Sequence, residues 1–288
     1  MQVAERSIML QSRADRIFLH IMSDLHIGSA QCDEEEIVRC LKAGGGKEHH
    51  YYIFCGDIID CIGHKDKRFH PSKLHRAFVG IDDILGSEIE YAAELLKKHL
   101  EPGQILGLLD GNHERKSLEY CSFHPVRRIV EMINGYTTGI PQAQYLGYHC
   151  LYRLMIRRNK SKGAASFVIH AHHGWGGGGR TAGGSITKYD RHAMQYSADI
   201  HCYGHSHDPG LKPIVQDVSI MRTRLEIDIR NSWLICCPAF QKTLSQPGET
   251  EPWAETMGFP LRPMGGIVME IDVDWEMGKA KAVMPSPE

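Results

Sequence analysis

Five short apolar runs, each leading into a polar cluster, constrain this chain more than any other feature. The runs Arg16 to Met22, Tyr51 to Cys55, Ile105 to Leu109, Ser166 to His170 and Ile200 to Tyr203 read as buried strands. Between the second and third, Leu74, Phe78, Ile81, Leu85, Ile89, Ala92, Leu96 and Leu100 recur at the three- and four-residue spacing of one buried helical face. Gly80 and Gly86 are the points at which that helix bends or splits. Asp33 followed by Glu36 predicts a capped shorter helix ending near Gly44. Strand, polar loop, helix, strand is the rhythm of an α/β protein, whose strand ends converge on one crevice. The second half is richer in strands: Tyr148 to Arg158, a turn at 159–163, then Leu225 to Cys237 and Ile267 to Val273.

Composition narrows the classes. The 33 Lys and Arg against 35 Asp and Glu leave a net charge of −2, so no global field draws the protein to nucleic acid or anionic membrane. Nine cysteines without a CxxC pair fit buried free thiols in a reducing compartment. No apolar run is long enough to span a bilayer and the N-terminus is broken by charges, so a cytoplasmic protein without a membrane partner is expected. No composition shift marks a boundary, and one domain over residues 1–288 is expected. Two stretches are irregular: the glycine-rich loop Gly174 to Gly184, and residues 245–263, rich in Pro, Gly and Glu, which read as a lid or a crossing loop.

Four short words stand at the ends of the runs: Asp24-Leu-His26, Gly56-Asp57-Ile-Ile-Asp60, Gly111-Asn112-His113-Glu114 and Gly204-His205-Ser-His207. In a locally extended segment residues i and i+2 share one side, so Asp24 with His26, and His205 with His207, would each face one cation. Carboxylate with imidazole suits borderline divalent ions such as Mn, Fe or Zn better than Ca or Mg. The glycines at 56, 111 and 204 permit the tight turns that bring such ligands off strand ends.

These words resemble those of the calcineurin-like metallophosphoesterase superfamily over roughly residues 18 to 208. The resemblance implies an α/β fold, a two-sheet β-sandwich flanked by helices in four layers. It also implies that Asp24, His26 and His207 hold one metal, Asn112 and His205 with one further His hold the other, and Asp57 bridges them. The further ligand is expected among His170, His172 and His173; His173, directly before Gly174, matches the family's His-Gly pattern and is the choice. Two divalent ions, Mn foremost with Fe, Zn or a mixed pair as alternatives, would lower the pKa of a water for in-line attack on a phosphate ester. His113, beside a ligand, is the expected catalytic residue, meeting the leaving group or the phosphate.

Other residues take plainer readings. Asp60 is expected to hydrogen-bond the site rather than ligate. Glu114 reads as a supporting or helix N-terminal carboxylate before a general base. Arg180, in the glycine-rich loop, is the candidate for substrate binding, and that loop is similar to those of phage and prophage members of the superfamily. The basic run from Arg157 to Lys162 is read as a charged turn. The expected partner is therefore a phosphate-ester substrate. A nuclease is the rival within the class, although no strong basic track is present; a non-catalytic binding module of the same fold is the rival outside it.

Overall fold

In the computed structural model, every residue is described except 65, 136–137, 159–163, 178–182, 221–224, 226, 246, 248–250, 277 and 285–288. The first half runs β1 (Gln2–Leu10), β2 (Ile17–Met22), α1 (Glu34–Gly44), β3 (His50–Phe54), α2 (Ile84–His99), β4 (Ile105–Leu108), α3 (Asn112–Cys121) and α4 (Pro125–Asn134). The second runs β5 (Gln144–Tyr145), β6 (His149–Arg158), β7 (Ala164–His172), α5 (Gly184–Ala193), β8 (Ile200–Tyr203), β9 (Gly210–Ile220), β10 (Ile227–Cys236), α6 (Trp253–Thr256), β11 (Ile267–Asp274) and β12 (Lys279–Val283).

Strand alternation sorts the buried side chains into three layers. Ile17, Leu19 and Ile21 of β2, Ile53 of β3, Phe167 and Ile169 of β7, and Ile200 and Cys202 of β8 share one core made by strands alone. The opposite faces of β3 and β4, through Tyr52, Phe54 and Leu108, pack on Ile37 and Leu41 of α1, Leu96 of α2 and Ile129 of α4. Beyond the other half, Tyr189 and Ala193 of α5 cover Tyr203, Leu234 and Cys236. The result is helix, sheet, sheet, helix, a mixed α/β architecture. The two sheet layers are halves of one hydrogen-bonded path, β5-β4-β3-β2-β11-β12-β7-β8-β10-β9, joined between β12 and β7 at Lys279 and Ser166.

The halves are tied across the core as well as through it. Tyr152 of β6 donates to the Leu106 carbonyl of β4 at 3.4 Å, and the buried Arg6 of β1 donates to the Gly103 and Ile105 carbonyls at 2.7 and 3.1 Å. Parallel pairing of β2 with β3, of β3 with β4, and of β7 with β8 sends the carboxyl ends of both halves to the same side.

Two expectations need correction. The helical periodicity from Leu74 does not form one helix: short 3-10 turns occupy Pro71–Lys73 and Arg76–Phe78, and α2 begins at Ile84. Gly80 adopts φ +82°, outside helical geometry, and Asp83 caps α2 by accepting the Gly86 N–H at 2.8 Å. The charged N-terminus, assigned no element from sequence, is strand β1, parallel to β6. Arg6, Ile8 and Leu10 turn inward, while Glu5, Ser7 and Met9 stay exposed. The expected turn at 159–163 lies outside the described residues.

Candidate metal centre

Loops that leave the carboxyl ends of β2, β3, β4, β7 and β8 bring all seven proposed ligands together. Asp24 and His26 follow β2, Asp57 follows β3, Asn112 opens α3 beyond β4, His173 follows β7, and His205 and His207 follow β8. The first two loops are zipped side by side, with Asp24, His26 and Ile27 donating their N–H groups to Gly56, Asp57 and Ile58 at 3.0 Å. Metal-type donor atoms of Asp24, His26 and His207 lie within 4.8 Å of one another, and so do those of Asp57, His173 and His205.

The local backbone is not extended, contrary to the sequence expectation. Asp24, His26, Asp57, His205 and His207 hold φ of 54°, 49°, 49°, 65° and 51°. The left-handed region costs a non-glycine residue roughly 1–3 kcal/mol and gathers at functional sites. Both members of each i, i+2 pair share this conformation; His26, His205 and His207 line one cavity, and Asp24 lies buried within reach of His26 and His207.

The glycines also act differently from the expected role. Gly56 does hold φ +95°. Gly111 and Gly204 serve close approach instead: a Cβ on Gly111 would sit 1.9 Å from Asp57 Oδ1, and one on Gly204 2.1 Å from Ser23 Oγ.

Hydrogen bonding leaves bare lone pairs aimed at the centre. His173 Nδ1–H donates to the Cys55 carbonyl at 2.8 Å, so in the neutral ring Nε2 is an acceptor. That atom faces two further acceptors, Asn112 Oδ1 at 3.0 Å and Asp57 Oδ2 at 3.4 Å. His205 Nδ1 crowds the same Asn112 oxygen at 2.6 Å. His26 Nδ1 is directed to Asp60 Oδ1 at 3.2 Å, and its buried Nε2 has no hydrogen-bond partner, 3.8 Å from Asp57 Oδ2. Acceptors facing acceptors in a buried site repel unless a positive charge lies among them. The donor set therefore fits a divalent cation.

Titration follows the same electrostatics. Burial opposes a charge on His173, yet Asp57 and Asp24 push it up to about 10, which is a proton drawn into the anionic centre. Burial would raise Asp57, but His173 and His113 hold it well below the usual carboxylate range. His26 and His205 are lowered by burial. Asp60, despite burial, is held at about 2 by its bonds to His113 and His26.

His113 lies on the edge of the cavity. Its backbone N–H donates to Asp57 Oδ1 at 2.9 Å, its Nδ1–H to the Asp60 carbonyl at 2.6 Å, and its Nε2 stands 3.0 Å from Arg68 Nη1. Burial opposes charge on the ring, while Asp57 and Asp60 pull it up to about 9. A doubly protonated ring would repel the guanidinium, so the two features conflict. A divalent ion held by Asp57 would offset the strongest of those pulls and favour the neutral ring accepting from Arg68.

Two buried carboxylates support the loop after β3. Glu114 accepts the N–H groups of Ile58 and Ile59 at 2.5 and 3.1 Å, and that of Gly111 at 2.8 Å. Both of its oxygens are spent on backbone, which is the role of a clamp rather than a base. Glu88, which the sequence reading missed, accepts the Cys61 N–H at 3.0 Å, and burial raises its pKa well above the usual range. Its only sequence signal was a carboxylate on the buried side of the α2 pattern.

The rival histidines lie apart from the donor groups. His170 Nε2 meets His149 Nε2 at 2.8 Å and its Nδ1 meets His201 Nδ1 at 3.0 Å, while His172 Nδ1 accepts the Gly174 N–H at 2.8 Å. Arg180 lies outside the described residues. His26, Asp57, Asn112, His205 and His207 line a cavity of about 390 Å³ that is also lined by Arg68 and Lys73 and by Pro252, Phe259, Arg262 and Met264. Of these, Pro252, Phe259 and Arg262 belong to the stretch read as a lid or crossing loop.

Comparison with known proteins follows from this geometry. The family described as Calcineurin-like phosphoesterase matches residues 19–209. No curated relative matches the chain. Among solved structures, a predicted phosphoesterase from Streptococcus pneumoniae is 13% identical, covering 94% of this chain and 99% of that one, with a TM-score of 0.31. Zn-complexed Vps29 from Entamoeba histolytica is 10% identical over 90% and 87% of the two chains, with a TM-score of 0.36. A metallophosphoesterase from Sphaerobacter thermophilus is 12% identical over 79% and 78%, with a TM-score of 0.33. No helix among the described residues is long and apolar enough to cross a membrane.

Proposed function

This chain belongs to the calcineurin-like phosphoesterase family, and from that premise we propose that it hydrolyses phosphomonoesters or phosphodiesters at a dinuclear metal centre. The observation that carries the reading is the gathering of donors at the strand ends, where Asp24–His26–His207 and Asp57–His173–His205 are two of three overlapping groups and His26–Asp60–His113 is the third, with acceptor atoms facing each other around Asp57. Asp24, His26 and His207 would hold one ion and Asn112, His173 and His205 the other, with Asp57 between them. When bound, divalent ions supply Lewis-acid polarisation of phosphoryl oxygens and acidify a water nucleophile. The mixed oxygen and imidazole donors suit Mn, with Fe or Zn as alternatives.

The chain's own residues supply the rest. Asp60 and the Cys55 carbonyl fix the tautomers of His26 and His173, so that Nε2 of each presents its lone pair. Glu114 and Glu88 hold the backbone that carries Asp57 and Asp60. His113 would meet a departing oxygen as the protonated ring that Asp57 and Asp60 favour, with its Nε2–H turned from Arg68 to the substrate.

A cavity of about 390 Å³ has room for a small phosphate ester. A non-catalytic module would have no need of a complete donor set. Elemental analysis beside hydrolysis of nitrophenyl phosphate mono- and diesters with added Mn tests the proposal. Protein that holds no divalent metal and hydrolyses neither ester would overturn it.

A further inference from the structure

Arg68 sits on the segment between β3 and α2, outside every motif, yet it lines the cavity beside His113 and the donor groups. Its guanidinium is gripped from one side by Asp66, with Nε to Oδ1 at 3.1 Å and Nη2 to Oδ2 at 2.8 Å. The Asp66 carboxylate also accepts the Arg68 backbone N–H at 2.9 Å and draws Lys116 Nζ to 4.0 Å. From the other side, Nη1 donates to His113 Nε2 at 3.0 Å. A guanidinium has five N–H donors, and these contacts use three. One N–H remains on each terminal nitrogen of a side chain that is 36% exposed. Two such hydrogens on a fixed, permanently charged plane are the donor pattern that binds an oxyanion.

We propose that Arg68 is a substrate-binding residue that contacts a terminal oxygen of the phosphoryl group, with Asp66 as its positioning residue, and that it biases the site towards phosphomonoesters. The proposal rests on the phosphoesterase reading above. A monoester carries three terminal oxygens and, near neutral pH, close to two negative charges; a diester carries two such oxygens and one charge. The additional oxygen and charge are what a further cation in the wall recognises. Lys would not replace Arg here, because an ammonium cannot hold Asp66 side-on and present two parallel donors to a ligand.

The test compares wild-type protein with Arg68→Gln, Arg68→Lys and Asp66→Asn, each loaded with Mn and checked for metal content. Two readouts are taken: kcat and KM on nitrophenyl phosphate and on bis-nitrophenyl phosphate, and the Kd of inorganic phosphate by calorimetry. Arg68→Gln is expected to lower kcat/KM on the monoester about 100-fold, the scale of one lost oxyanion donor, and to cost the diester at least about ten times less. Phosphate binding should weaken about tenfold or more, the range of a charge-assisted hydrogen bond, with metal content unchanged. Arg68→Lys should recover only part of the loss, and Asp66→Asn should lower the monoester-to-diester ratio while its Tm stays near wild type. Equal losses on both esters, or unchanged phosphate affinity in both Arg68 variants, would overturn the role of Arg68 while leaving the phosphoesterase reading intact. Wild-type protein full of metal but inert to both esters would instead sink that reading, and the phosphate titration would still report on Arg68.

Discussion

His173 Nε2 faces Asn112 Oδ1 across 3.0 Å while the other nitrogen of the ring is tied to the Cys55 carbonyl. A neutral imidazole in that position sets a lone pair against a lone pair, and only a proton or a cation between the groups makes the arrangement favourable. The local chemistry of the site follows from this conflict.

His173→Ala is expected to lower bound metal and to cut turnover by more than about 100-fold, above the 10–100-fold typical of an outer partner. His172→Ala should leave metal content unchanged, because its ring is occupied with the Gly174 N–H. Elemental analysis of the two variants checks this. Metal loss in His172→Ala with retention in His173→Ala would reverse the assignment.

Asp60→Asn should weaken metal binding roughly 10–100-fold without abolishing it, since Asp60 orients His26 through Nδ1 rather than facing the metal as the main donor. Titration of chelator-treated protein with Mn reads the change in Kd. An effect as large as that of Asp57→Asn would make Asp60 a ligand.

Gly111→Ala would drive a methyl group to within 1.9 Å of Asp57 Oδ1, so activity and metal binding should fall together, with a stability loss of about 1–3 kcal/mol from overpacking. Gly63→Ala is the control, since an added Cβ there meets nothing within 4 Å. Urea unfolding and metal content separate the two. Equal behaviour would remove the close-approach argument.

Stability should fall in mild acid because of histidines outside the metal centre. Burial holds His170, His172 and His201 down to about 2, 3 and 4, against an ordinary value of 6.5. The unfolded chain therefore binds protons that the folded one refuses. The stability they contribute is complete above pH 6.5 and is lost as pH falls from there towards the folded values. The slope approaches roughly 1.4 kcal/mol per pH unit for the buried His170 and His201 and is smaller for the half-buried His172. Tm should decline steadily as pH falls below 6.5; a Tm constant from pH 6.5 to 5 would contradict the neutral, buried state of this cluster.

How much of this was legible in sequence varied with the physical source of the signal. Apolar runs such as Ile200 to Tyr203 match strand β8 residue for residue, because two-sided burial imprints a continuous apolar run. The four words identified residues that converge in space, yet the left-handed backbone of Asp24 and His26 could not be read from them, since no residue type marks it as glycine would. The helix that Leu74 and Phe78 suggested fails because apolar spacing records burial, and Leu74 is buried in irregular chain and Phe78 in a 3-10 turn. Arg68 and Glu88 were invisible for a related reason. Their contacts come from tertiary placement of a loop and of a helix, and the one local sign was a carboxylate, Glu88, on the buried side of α2.

The most direct test of the metallophosphoesterase account is the rate of nitrophenyl phosphate hydrolysis by chelator-treated protein as Mn is added back. The account predicts no turnover without metal and a saturable recovery that Asp57→Asn abolishes; a rate independent of added metal, or none at saturating Mn, Fe or Zn, would contradict it.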